Sequence, residues 1–213
     1  MKTVKFLSLA LIASTILASC GSEAVEATDK KEVAEATVES VAYKVDPAAS
    51  VLNWHGEKVA YGHDGTINIT EGELTMKGDT VTSGNFVVDM KTVVGTDEGA
   101  NPEDMAKLAG HLMSPDFFDA EKFPTSKFEV TGWAKNADGT HNLSGNLTIK
   151  DSTKNISFPA TIKVEGEKLT ANAEFTINRN DWGVTWGSGL SGAIGDKIIS
   201  DDIKFKVNLV ANK

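Results

Sequence analysis

The chain has 213 residues, 40% hydrophobic, 24% charged and 7% aromatic, which suits one well-cored domain with extra segments and excludes a disordered or collagen-like polymer. Thirty acidic residues against 21 basic ones give a formal charge of -9, so most of the surface repels a polyanion, which argues against nucleic acid as a partner. A single cysteine rules out an internal disulfide framework and any cysteine-clustered zinc site.

At the N-terminus a short basic start (Lys2, Lys5) precedes an apolar run from Phe6 to Leu17 and the small residues Ala18 and Ser19. This reads as a secretory signal over residues 1–19, too short for the ~18 to 20 apolar residues of a membrane span. Leu17-Ala18-Ser19-Cys20 resembles the bacterial lipobox, so Cys20 is expected to carry acyl chains and to attach an exported protein to the membrane. The following Gly21 favours the outer membrane and the periplasmic side or surface of the envelope. Residues 20–42 form an acidic stretch with neither proline nor an aromatic before Tyr43, and six acids stand against two lysines over residues 21–42. Such a stretch cannot bury a core and is expected to be a disordered tether; a frayed helix with Val33, Val38 and Val41 along one side is the competing reading.

From residue 43 to 213 the pattern becomes short alternating segments. Ile67/Ile69, Leu74/Met76, Phe86/Val88/Met90, Phe128/Val130, Leu143/Leu147/Ile149 and Ile162/Val164 repeat at the spacing of half-buried strands, as do Leu169 to Ile177 and Ile203 to Leu209. Lys77-Gly78-Asp79, Asp138-Gly139, Asp151-Ser152 and Glu165-Gly166-Glu167 supply the turns, and such short connections mean antiparallel neighbours. The stretch from Asp64 to Lys77 echoes that from Asp138 to Lys150 if Glu71 is one inserted residue, which predicts a bulge near Glu71-Gly72. About eight such strands can remove their edges by closing into an all-β antiparallel barrel, with room for one small ligand, although a packed sandwich has the same periodicity. Between residues 93 and 127 the alternation stops. Asn101-Pro102-Glu103-Asp104 starts an inserted helix with Met105, Leu108 and Leu112 in one stripe, and Ser114-Pro115-Asp116 leads into Phe117-Phe118. Such a helix can lie over one end of the barrel, with Leu112, Phe117 and Phe118 either against a cavity or as a plug.

The run His111-Leu112-Met113-Ser114-Pro115-Asp116-Phe117-Phe118, continued to Phe123-Pro124 and Phe128, resembles the central signature of the YceI-like proteins. Three further segments fit: Gly145 to Lys150 with Thr153-Lys154 and Phe158-Pro159; Phe175 to Gly183; and Ile199-Ser200-Asp201-Asp202-Ile203. Asp151, where a glycine is usual, and Trp54-His55-Gly56 near the first strand depart from the pattern. The resemblance implies a lipocalin-like barrel around an apolar tunnel holding a polyisoprenoid, a quinone or another long lipid. The expected lining is Phe86, Val88, Met90, Leu112, Phe117, Phe118, Phe175, Ile177 and Trp182, with His111 or Arg179 near a polar headgroup.

Catalytic signals are sparse. Gly187-Ser188-Gly189 lacks the spacing of a nucleophile elbow, and His55, His63, His111 and His141 lack metal-ligand spacing. Alternation along β-strand residues would turn Arg179 inward, where it needs Asp181, Asp202 or a ligand phosphate as partner. The reading is therefore a binding protein, with no enzyme activity, cofactor or metal expected, that stores or carries a long apolar molecule. A periplasmic or surface interaction module with a filled barrel is the alternative, a lipid or glycan hydrolase is a third reading, and a homodimer stays open.

Overall fold

The computed structural model describes residues 23–137 and 140–213. The expected signal sequence and Cys20 lie outside the described residues. In chain order the elements are β1 (Thr28–Asp29), β2 (Val41–Val45), β3 (Val51–Lys58), β4 (Gly62–Lys77), β5 (Thr80–Gly95), α1 (Pro102–Met113), β6 (Thr125–Lys135), β7 (His141–Ile149), β8 (Ser152–Glu165), β9 (Lys168–Asn178) and β10 (Ile199–Asn212).

Strands β3 to β10 pair antiparallel with their sequence neighbours, and β10 closes on β3 with Phe205 opposite Trp54, so the sheet is an eight-staved barrel. One stave is composite. β2 continues the line of β3, pairing with the far ends of β4 (Val41 with Met76) and β10 (Ala211 with Val45). The break between them is held by Asp46, whose Oδ1 accepts from the amides of Ala48 and Ala49 at 3.0 and 3.3 Å, and by Ser50, which bonds Val210 through both backbone groups. A register shift falls between Ile69 and Glu71, placing the bulge one residue before the predicted site.

α1 starts where its sequence dictates: Asn101 accepts from the amide of Glu103, and Pro102 occupies the first turn. Ser114 ends it, donating its hydroxyl to the carbonyl of His111 at 2.8 Å. The helix packs on β5 and lies at the mouth of the barrel, the end where the β3–β4 and β7–β8 turns also sit.

The acidic segment expected to be a disordered tether is instead laid on the barrel wall. β8 pairs with β9 only from Ala160 onward, opposite Ala173, so these staves part toward the mouth. The N-terminal segment fills the parting: Thr28 and Asp29 pair with Asn155 and Lys154 of β8, and the amide of Val25 donates to the carbonyl of Thr176 of β9 at 2.8 Å. It then crosses β7 and β6, donating from Ala34 to the carbonyl of Val130, and reaches β5 through Ser40 and Thr82. The fastening is side-chain amide chemistry. Asn146 acts as a substitute peptide group, accepting from the Lys31 amide at 3.0 Å and donating to the Lys31 carbonyl at 2.7 Å. Asn155 supports it at 3.1 Å, and both asparagines are buried on the outward face of the wall. Low hydrophobicity does not free a chain whose backbone groups complete an open sheet edge.

Candidate functional site

The barrel interior is girdled by phenylalanines from five staves. Phe86, Phe128, Phe158, Phe175 and Phe205 follow one another with ring centroids 6.5, 5.5, 4.2 and 5.6 Å apart, Phe158 and Phe175 being stacked. β7 contributes no ring to this belt. Its Gly145 lies beneath Phe128, where a Cβ would stand 2.2 Å from Cζ, so the missing side chain is what lets Phe128 span toward Phe158. Gly65 serves the same purpose for Trp54, whose ring would meet a Cβ there at 2.2 Å.

Two apolar spaces remain. The outer one, about 230 Å³, lies beneath α1 and is lined by Met90, Leu108, Leu112, Phe117, Phe118 and Ile203, among others. The inner one, about 130 Å³, is walled by Ile69, Phe86, Phe128, Phe158 and Leu209, among others. Leu52, Val88, Ser126, Leu147 and Phe175 face both and form a waist between them. Each lobe alone is smaller than the roughly 300 Å³ at which small-molecule pockets usually begin.

Ser126 puts a buried hydroxyl at the waist, 3.0 Å from the Met90 sulfur, and the remaining polar groups of the outer lobe gather at its mouth. His111 packs edge-on against Phe117 and Trp186, with centroids 5.0 and 4.8 Å away, and its Nε2 lies 3.1 Å from Asp116. On the opposite rim, His55 bridges Asp64 and Glu57 through its two ring nitrogens at 2.8 and 3.1 Å. Partial burial opposes protonation of His55, but these two carboxylates outweigh it and raise its pKa. Asp97 binds His63 at 2.5 Å and the Asp64 amide at 2.6 Å. Burial raises the Asp97 pKa, and these two bonds overcome that and lower it. Asp97 thereby pins the segment entering α1 to the start of β4.

The expected lining divides. Phe86, Val88, Met90, His111, Leu112, Phe117, Phe118 and Phe175 all face one or both lobes. Ile177 and Trp182 do not, and are fully enclosed in the main core instead. Trp182 belongs to a 3-10 turn, Arg179–Trp182, and donates Nε1–H to the carbonyl of Leu147 at 2.9 Å, which closes the wall beside β7. Arg179 borders the outer lobe but is not free for a headgroup. Its guanidinium donates to the carbonyls of Val184, Ser200 and Ile199 at 2.6, 2.9 and 3.1 Å, and approaches Asp201 at 3.4 Å rather than Asp181 or Asp202. β9 ends at Asn178, so strand alternation no longer governs where Arg179 points. Burial lowers its pKa, with Asp201 opposing.

Lining residues absent from the expected set include Leu52, Trp54, Phe128, Leu147, Phe158 and Trp186. Leu147 carried the strand period, but Trp186 stands in an aperiodic loop with no signal at all.

The sequence profile of the YceI-like domain matches residues 43–211. The chain belongs to the YceI-like family. A UPF0312 protein of Pseudomonas putida (strain W619) is 27% identical over 173 residues, covering 77% of this chain and 87% of the relative. Among solved structures, Burkholderia cenocepacia BcnA superposes with a TM-score of 0.65 at 21% identity, covering 79% of this chain and 99% of BcnA. A polyisoprenoid binding domain from Saccharophagus degradans, implicated in plant cell wall breakdown, gives 0.57 at 13% identity over 80% and 97% of the two chains. These likenesses show the same YceI-like barrel; the family match begins at residue 43, so the docked segment 23–42 lies outside it.

Proposed function

We propose that the protein binds one long apolar molecule, a polyisoprenoid, a quinone or another single-chain lipid, inside the barrel for storage or transport. The observation that carries this reading is the pair of apolar lobes inside the barrel, which share a wall of five residues and are lined almost wholly by apolar side chains. Each methylene transferred from water to that lining contributes about 0.8 kcal/mol, so a chain occupying both lobes binds without specific polar contacts. The Saccharophagus neighbour, a polyisoprenoid binding domain, supports the same class of ligand. Near the headgroup we place His111 with Asp116, since the Arg179 donors are taken up by carbonyls.

An interaction module with a filled barrel is disfavoured by the open lobes. For the hydrolase reading, His55, His63 and His111 are each engaged by a carboxylate, and among the described residues none pairs with a hydroxyl as a catalytic base would.

We further propose export and acylation at Cys20. Four residues separate Cys20 from the docked Val25, five Cα steps with a reach of at most about 18 Å, so the barrel would ride close to the bilayer rather than on a long leash. Solvent extraction of the purified full-length protein followed by mass spectrometry tests the binding reading. A long-chain lipid is expected in near-stoichiometric amount; an empty extract, with no uptake of quinones or polyprenols delivered in detergent, overturns it.

A further inference from the structure

Among the described residues, the exposed large apolar side chains other than valine are Tyr61, Trp186, Leu190 and Ile194. All four belong to two segments at the mouth, the β3–β4 turn and the loop of residues 183–198. Tyr61, Trp186 and Ile194 line one open hollow there together with Lys58, Lys150 and Lys197. Trp186 and Lys58 also border the outer lobe, so the hollow is the vestibule of the cavity.

The loop does not expose these side chains through looseness. Ser188, fully buried, accepts from the Leu190 amide at 3.1 Å, and its carbonyl accepts from the Ala193 amide at 3.2 Å. Ile199 closes the loop by donating its amide to Gly187 at 2.8 Å. A fixed scaffold thus holds Leu190 and Ile194 in water at 82% and 78% exposure, where a soluble surface gains nothing from them.

We propose that the mouth of this barrel docks on the surface of a lipid bilayer, with Leu190, Ile194, Tyr61 and Trp186 entering the interfacial layer and the three lysines meeting lipid phosphates. Tryptophan and tyrosine suit that layer because one end of each ring is apolar and the other hydrogen-bonds, and lysine stems cross apolar surface while the ammonium stays in the headgroups. None of Lys58, Lys150 and Lys197 is in an ion pair among the described residues. The vestibule also holds two acids, Asp116, which faces His111, and Asp196. A chain of net charge -9 is not drawn to an anionic membrane from a distance, so apolar insertion carries the docking and the lysines act locally. A bilayer fits better than a protein partner because this surface surrounds the cavity opening. A partner chain seated on it would stopper the mouth, whereas a bilayer is the solvent from which the cavity ligand comes. The inference rests on the cavity reading above.

The test compares the full-length protein with Leu190→Ser/Ile194→Ser in the same background, so that any N-terminal attachment is common to both. Vesicles of phosphatidylcholine with phosphatidylglycerol carry brominated acyl chains to quench tryptophan, and Trp186→Phe identifies the exposed fluorophore. Trp186 is expected to be quenched in the parent and spared in the double variant. Transfer of a fluorescent quinone analogue from vesicle to protein is expected to slow by roughly tenfold or more when two aliphatic insertions are removed. Loading from detergent and the melting temperature should stay unchanged. Absence of Trp186 quenching, or an unaltered transfer rate in the double variant, overturns the docking, including the case where a protein covers this surface. Loss of detergent loading in the parent overturns the cavity reading instead.

Discussion

Asn146→Ala is expected to release the N-terminal strap while leaving the barrel closed. The side chain makes three hydrogen bonds, two to the Lys31 backbone and one from Asn155, in a site shielded from water. Losing them and leaving the Lys31 groups half-buried and unpaired costs about 2–3 kcal/mol, concentrated on the strap because the β7 ladder to β6 and β8 is untouched. Lys30 and Lys31 lie in the strap and are exposed, yet trypsin needs several residues of free backbone to cut there. When opening is fast relative to cleavage, the rate follows the open population, so cutting after these lysines should rise about 30- to 150-fold. Limited trypsinolysis of the full-length protein with mass mapping reads this directly. Asn142→Ala, an exposed neighbour on the same strand, provides the control. Cleavage in the parent at the rate of a short unstructured peptide, or no acceleration in Asn146→Ala, would refute the docked strap and restore the free tether.

Val88→Trp fills the waist between the two lobes and is expected to reduce bound lipid at least tenfold, measured by extraction, with an unchanged or higher melting temperature. Gly145→Ala forces a methyl into the Phe128 ring and should cost about 1–3 kcal/mol by denaturant unfolding, with Phe128→Leu recovering part of it. Arg179→Met strands three carbonyls in the core and should cost about 3–5 kcal/mol; Arg179→Lys recovers little, because one ammonium cannot reproduce the guanidinium fork. The pH dependence follows from the rim. The raised pKa of His55 gives stabilisation present below its ordinary 6.5 and lost as pH rises through the folded value. The lowered pKa of Asp97 gives stabilisation present above its ordinary 3.8 and lost as pH falls through the folded value. Melting temperature against pH should lose part of the first slope in His55→Gln and part of the second in Asp97→Asn, the lowered pKa of Glu57 keeping some of the acid limb.

Much of the cavity was legible because strand alternation is a local property. Phe86, Val88 and Met90 share a face at any tertiary arrangement, and the cap at Asn101-Pro102 places α1 wherever the barrel puts it. The failures fall where the local rule stops. Arg179 and Trp182 follow the last residue of β9, and in a 3-10 turn the two-residue period no longer says which way a side chain points. Leu52 and Trp54 reach the cavity from a stave whose strands are interrupted at Asp46–Ser50, too short a pattern to read. Trp186 depends on a loop path that no period describes.

The amino-acid sequence by itself determined the family, the antiparallel strands, the inserted helix and most of the apolar lining, because each is set by residue spacing within a few positions. Only the tertiary structure decided what the acidic segment does. Its composition says it cannot form a core, which holds, but a segment with no core of its own can still be ordered by another's unpaired edge. Where β8 and β9 diverge, the backbone groups along their edges and two buried asparagines supply the partners that residues 25–34 lack among themselves. Whether a barrel leaves such a seam is a matter of register between strands far apart in the chain, and no window of sequence contains it.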